Sequence, residues 1–301
     1  MAKSVPAVPQ ALQQRQDLLA RATAGDRDAQ SAMGDVCRVG DEFTPQDFAE
    51  AMMWYRLAAA QGDPEAENNI GAMLEHGMGV PEDMAEAAKW YRRAADQGLS
   101  IAQFNLGECY LYGTGVNGDE SEAAGWLHKA AAQGHIEALS ELGGMYLFGR
   151  GVERRIAIAA EMLTIAALEG DMNALGTLAD YHRQIEAEAL DGSLLSALCL
   201  AKMHDRGLGV ERSEAKMFAW LMWGGYKGTR DADPDVREEL TDMRDFYAAI
   251  LADSVQDEAW KLLGQMWSPN AQVFDTRPRD AEGNVIREGA DPDSVISPGE
   301  G

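Results

Sequence analysis

The sequence predicts an all-α chain, an α-solenoid of stacked αα-hairpins, and three observations carry that prediction. Ala-Ala-x-x-Gly motifs end at Gly62, Gly98, Gly134 and Gly170, a constant step of 36 residues. Gly-x-Gly-Val recurs with the same step at Gly77–Val80, Gly113–Val116 and Gly149–Val152. Trp54, Trp90 and Trp126 share the interval, and Met162 takes the next slot. Independent markers on one period define a repeat architecture, in which each unit buries its apolar face only by stacking on its neighbours.

In chain order, residues 1–25 read as a disordered start followed by a capping helix over Ala11–Thr23. Repeat units follow at about 26–62, 63–98, 99–134 and 135–170, the first one residue longer than the rest. The register then slips: the next Gly-x-Gly-Val, Gly207–Val210, and the next tryptophan, Trp220, each lie 58 residues on, one period plus 22. A truncated copy of about 22 residues, 171–192, accounts for the slip, with a full copy over 193–228. Its lost residues remove the Gly-x-Gly-Val turn and predict a hairpin whose second helix is cut to about Ile185–Leu190. Two capping helices, Asp235–Ala252 and Ser254–Trp267, are expected within 229–267, with Phe246, Ile250, Leu251, Trp260, Leu262, Leu263 and Trp267 as their apolar faces. The acidic, proline-containing stretch 268–301 reads as disordered or as an extended strap.

Within a unit the pattern is helical. Asp63-Pro64 is an N-cap followed by proline at the first helical position. Ala66, Ile70, Gly71 and Leu74 then fall on one helix face, and Ala102, Leu106, Gly107 and Tyr110 repeat the arrangement. The recurring glycine costs about 1 kcal/mol against alanine, so its return at 34, 71, 107 and 143 implies a close approach of two helices. Ala87, Trp90, Tyr91 and Ala94 mark a second helix that stops at Gly98.

The series Ala102…Leu106-Gly107…Tyr110…Gly113-x-Gly115-Val116…Ala123-Ala124-x-Trp126…Ala130-Ala131…Gly134 resembles the Sel-one-like repeat family, relatives of the tetratricopeptide repeats. The likeness covers about residues 26–228 and implies a protein-binding scaffold whose first helices line the concave surface. On that surface it would place Asn69, Met73 and His76, then Asn105, Glu108 and Tyr112. Glu141, Met145 and Phe148 follow, and Lys202 and Arg206 from the last full unit. Thioethers and aromatics there suit a peptide groove, and general burial tendencies suit them still better to inter-helix core. Cys109 and Cys199 share the stripe, either as accessible thiols or as small apolar fillers.

Fifty Asp and Glu against 26 Lys and Arg leave a net charge of −24, which argues against nucleic acid and anionic membrane partners. Three cysteines make no disulfide framework, and no apolar run is long enough to span a membrane. The chain is expected to be cytoplasmic and soluble. No metal-ligand spacing, P-loop or hydrolase elbow occurs, and no cofactor is expected. Ser213-Glu214-Ala215-Lys216 matches the Ser-x-x-Lys of penicillin-recognising enzymes without its companion motifs, and a serine there suits a helix cap. His204 occupies a core slot. The expectation is a non-enzymatic scaffold or adaptor that binds a protein or peptide, with a basic surface, in the concave groove. The alternative is an enzyme, hydrolase-like, or a small-ligand-binding protein with a site between the repeats and the C-terminal cap.

Overall fold

The computed structural model describes residues 10–41, 45–227 and 233–267. The reading of residues 1–9 and 268–301 as disordered, and most of the linker before the C-terminal helices, lies outside them. Fourteen helices and no strand are found among the described residues. None of these helices is long and apolar enough to cross a membrane. The chain divides into two compact units, the first ending at Ala138 and the second starting at Leu139.

The first compact unit opens with α1 (Gln10–Thr23), which packs on α2 (Arg27–Val39). Helices α2 and α3 (Phe48–Ala59), α4 (Pro64–Glu75) and α5 (Met84–Asp96), and α6 (Ser100–Tyr112) and α7 (Glu120–Ala131) form three hairpins. Neighbouring hairpins meet through α3 on α4 and α5 on α6. Aspartates cap the starts: Asp26, Asp47, Asp63, Asp83 and Asp119 each accept backbone N–H bonds of the first turn. A carboxylate there also meets the positive end of the helix dipole, so part of the acidic excess is spent on helix starts.

The recurring glycine does what its spacing implied. A Cβ on Gly71 would lie 2.6 Å from the Tyr91 ring, and one on Gly107 would lie 2.9 Å from Leu127. The second helix thus inserts a bulky side chain, Tyr55, Tyr91 or Leu127, into the hole left on the first. Tyr55 and Tyr91 are fully buried as a result. The turn glycine Gly115 sits at φ +73°, and a Cβ there would run into the backbone of Met84, where the preceding second helix begins.

A polar ladder threads this apolar stack. Gln61 donates to Gln30 (2.8 Å), Gln97 to Glu67 (2.7 Å) and Gln133 to Gln103 (2.8 Å), each across its own hairpin. Gln30 and Gln103 in turn donate to the carbonyls of Ala22 and Ala95, the last turns of the preceding helices. Glu67 has no N–H to give, and its buried carboxylate is held by Arg93 instead. Side chains satisfy backbone groups that stacking would otherwise strand away from water.

The second compact unit holds most of α8 (Ile136–Phe148), then α9 (Ile156–Leu168), α10 (Met172–Leu190), α11 (Leu194–Arg206), α12 (Glu214–Lys227), α13 (Pro234–Ile250) and α14 (Asp253–Trp267). Here the sequence reading of 171–192 is overturned. Instead of a short hairpin, α10 is one uninterrupted 19-residue helix. Its stretch after Gly176 is rich in Ala, Glu, Gln and Leu with no glycine or proline before Gly192, so losing the turn left nothing to restart a second helix. Helix α10 also takes over a second helix's contact. A Cβ on Gly209 would fall 2.6 Å from Ala179 N, as one on Gly79 would meet Phe48 at the start of α3. Helix α9 packs against both α10 and α11.

The chain closes with α13 and α14 packed on α12. Leu240, Ala259 and Leu263 are buried in that contact. Phe246 and Ile250, expected on an apolar face, are instead about 60% exposed (60% and 59%). They lie on the side of α13 turned away from α12.

Candidate functional site

The predicted stripe on the first helices separates into three kinds of position. Met73 and Met145 are core residues, 0% and 1% exposed, which corrects their assignment to a groove; Met203 joins them. The cause is geometric. Each first helix packs against a helix on both flanks, so its buried arc is wider than the single apolar stripe that the pattern of 66, 70, 71 and 74 defines. Cys109 and Cys199 are buried too, and burial pushes their thiols up to about 11 and about 12. They are apolar fillers.

A second group bonds between repeats. Asn105 Nδ2 donates to Asn68 Oδ1 (2.9 Å), joining α6 to α4. Asn69 Nδ2 reaches Asp35 Oδ1 (3.4 Å), which also accepts from the Tyr55 hydroxyl (2.7 Å) and faces Arg38. Within one repeat, Tyr91 of α5 donates to Glu75 of α4, and burial with this carboxylate raises its pKa far above the tyrosine range. Sequence reasoning had no handle on these tyrosines beyond their bulk. Lys202 is engaged from above: its ammonium meets Glu239 of α13 at 2.7 Å. Half-buried Glu161 lies in the same field, its pKa raised by burial and eased downward by Lys202.

The third group faces solvent. In the first compact unit it comprises His76, which caps α4, and Tyr112, 58% exposed at the end of α6, with Asn69, Asn105 and Glu108 partly open. In the second it comprises Phe148, 55% exposed and edge-on to Tyr181 at 5.4 Å, with Arg206 and partly open Glu141. The two exposed aromatics occupy the same repeat slot, at the C-terminal end of a first helix.

Ser213 Oγ accepts the Lys216 N–H at 3.2 Å, the bond of an N-cap. His204 is buried as its slot implied, with Nδ1–H donating to the Glu211 carbonyl (3.1 Å). Among the described residues no three His, Cys, Asp or Glu side chains group as a metal site.

The Sel1 repeat pattern matches residues 27–63, 64–99, 100–135, 136–171 and 196–221, more than half of the chain. The chain belongs to the Sel1 repeat family. The stretch the pattern skips, 172–195, is α10 and its exit. Among solved structures, this Sel1 repeat protein is similar to a protective antigen of uropathogenic Escherichia coli with an SLR fold. The two are 27% identical with a TM-score of 0.55, over 87% of this chain and 61% of the antigen. It thus spans about three fifths of that protein's length. A Sel1 repeat protein from Oxalobacter formigenes is 28% identical with a TM-score of 0.51, over 70% of this chain and 88% of the other. No protein of curated function matches the chain. Sel1 repeats generally mediate protein interactions.

Proposed function

We propose that this Sel1 repeat protein is a non-enzymatic adaptor that holds a protein or peptide with a basic surface against its first helices. The observation that carries this reading is Tyr112. A tyrosine 58% exposed on a rigid helix end, beside the Glu108 carboxylate, is an anchor of the kind that dominates protein interfaces. Nearby first helices add Asp35 and Glu75. Phe148 repeats the anchor in the second compact unit. The net charge of −24 supports a basic partner, drawn in by long-range attraction. Three buried, unpaired thiols fit a reducing compartment, and a cytoplasmic site of action is part of the same proposal.

The test is capture of a partner from native lysate by the intact chain and by Tyr112→Ala/His76→Ala. Both substituted side chains are exposed, so circular dichroism and melting temperature should be unchanged while capture is lost. A partner held equally by the double variant would place the interface elsewhere and defeat this reading.

A further inference from the structure

Beside α10, where no second helix follows, a partly open cavity of about 390 Å³ lies between α10, α11 and α12 and is bordered by α14. It lies wholly in the second compact unit. One turn of α10 brings His182 and Glu186 to it, one turn of α12 brings Lys216 and Trp220, and α11 brings His204. Trp220, 2% exposed, forms an apolar wall that Leu190 and Leu262 extend. The cavity's size falls in the range of small-molecule sites, typically about 300–1,000 Å³, and its lining is divided evenly between apolar side chains and polar or charged ones.

The polar groups are the informative part. Among the described residues the part-buried Glu186 carboxylate and His182 ring and the solvent-exposed Lys216 ammonium make no ion pair or hydrogen bond. The set does not converge as metal ligands. His204 has committed Nδ1–H to the Glu211 carbonyl, which leaves Nε2 as an acceptor while the ring is neutral, and burial lowers its pKa.

We propose that this cavity binds a small zwitterion with an apolar body, an apolar amino acid or a dipeptide of such residues. One cation at its rim and one part-buried anion line the same cavity beside Trp220, each without a protein partner among the described residues. A ligand that carries a carboxylate and an ammonium answers both, with its side chain against Trp220. An anion alone would face Glu186, and a cation alone would face Lys216. The site is independent of the adaptor reading and stands or falls without it.

Calorimetric titration of the full chain tests this with three probes: L-phenylalanine, 3-phenylpropionate, which lacks the ammonium, and phenethylamine, which lacks the carboxylate. Phenylalanine should bind saturably, and each analogue about tenfold more weakly, the loss of one charge-assisted contact. Lys216→Met should weaken phenylalanine about tenfold and leave phenethylamine unchanged. Glu186→Gln should weaken phenylalanine and leave 3-phenylpropionate unchanged. A misfolded variant would lose every probe together, so this crossed pattern separates recognition from structural damage. Absence of saturable phenylalanine binding, or equal binding of all three probes, overturns the proposal.

Discussion

At position 71 the absence of one methyl group decides how closely α4 and α5 can lie. Alanine would gain up to about 1 kcal/mol of helix propensity there. Its Cβ, however, would sit 2.6 Å from the Tyr91 ring, which is fully buried and tied through its hydroxyl to Glu75. Moving that ring costs about 1–3 kcal/mol in overpacking and strains the bond besides. Gly71→Ala should therefore be destabilised by about 1–2 kcal/mol net. Gly125, also inside a helix, has open space where its Cβ would go. Gly125→Ala should be stabilised by up to about 1 kcal/mol. Urea unfolding of both variants decides the matter, and a stabilised Gly71→Ala would disprove the hole-filling role of Tyr91. The glycine hole was legible because its spacing matched the apolar face. The polar ladder was legible too, in Gln61, Gln97 and Gln133 at the 36-residue step, but only for a reader looking for polar periodicity. Met73 was misplaced because side-chain chemistry cannot distinguish a thioether in a groove from one in a core.

At the scale of the element, α10 separates what repeat arithmetic can predict from what it cannot. The 22-residue remainder pointed to an irregular unit at 171–192, the stretch that α10 occupies, since Gly170 and Gly207 still mark its neighbours. Its conformation was set by local propensity rather than by family resemblance. With the turn deleted and good helix formers on both sides, the chain runs straight through. Arg183 lies at the middle of α10 and is exposed, where a hairpin version of this segment would place its turn. Proline there should cost about 3 kcal/mol or more, by removing an internal helix bond and clashing with the preceding turn. A melting temperature for Arg183→Pro close to that of the parent would restore the hairpin. The cavity beside α10 was beyond sequence reasoning for a different reason. It depends on α14 returning over residues more than 70 positions earlier, from His182 to Leu262, a contact that no local pattern encodes.

For the whole molecule, charge governs both stability and association, with opposite responses to salt. The attractive pairs in the structure are mostly exposed: Arg155–Glu153, Lys89–Glu86 and Arg27–Asp28 all have both partners over 40% accessible. Such pairs contribute about 0–1 kcal/mol each, and screening removes little when they weaken. Against them stands a surplus of 24 negative charges whose mutual repulsion opposes the compact state. Raising ionic strength from about 0.01 M to about 0.15 M shortens the screening length from about 30 Å to about 8 Å. Repulsion between helices is then cut while contacts within a helix persist. The melting temperature of the isolated chain should therefore rise with sodium chloride over this range. Affinity for a basic partner should fall over the same range, because the long-range attraction that draws it in is screened by the same ions. Melting curves and binding isotherms recorded on one salt series test both signs together. A partner whose affinity rises with salt in parallel with stability would be held by apolar contact with Tyr112, and the acidic surface would then serve solubility alone.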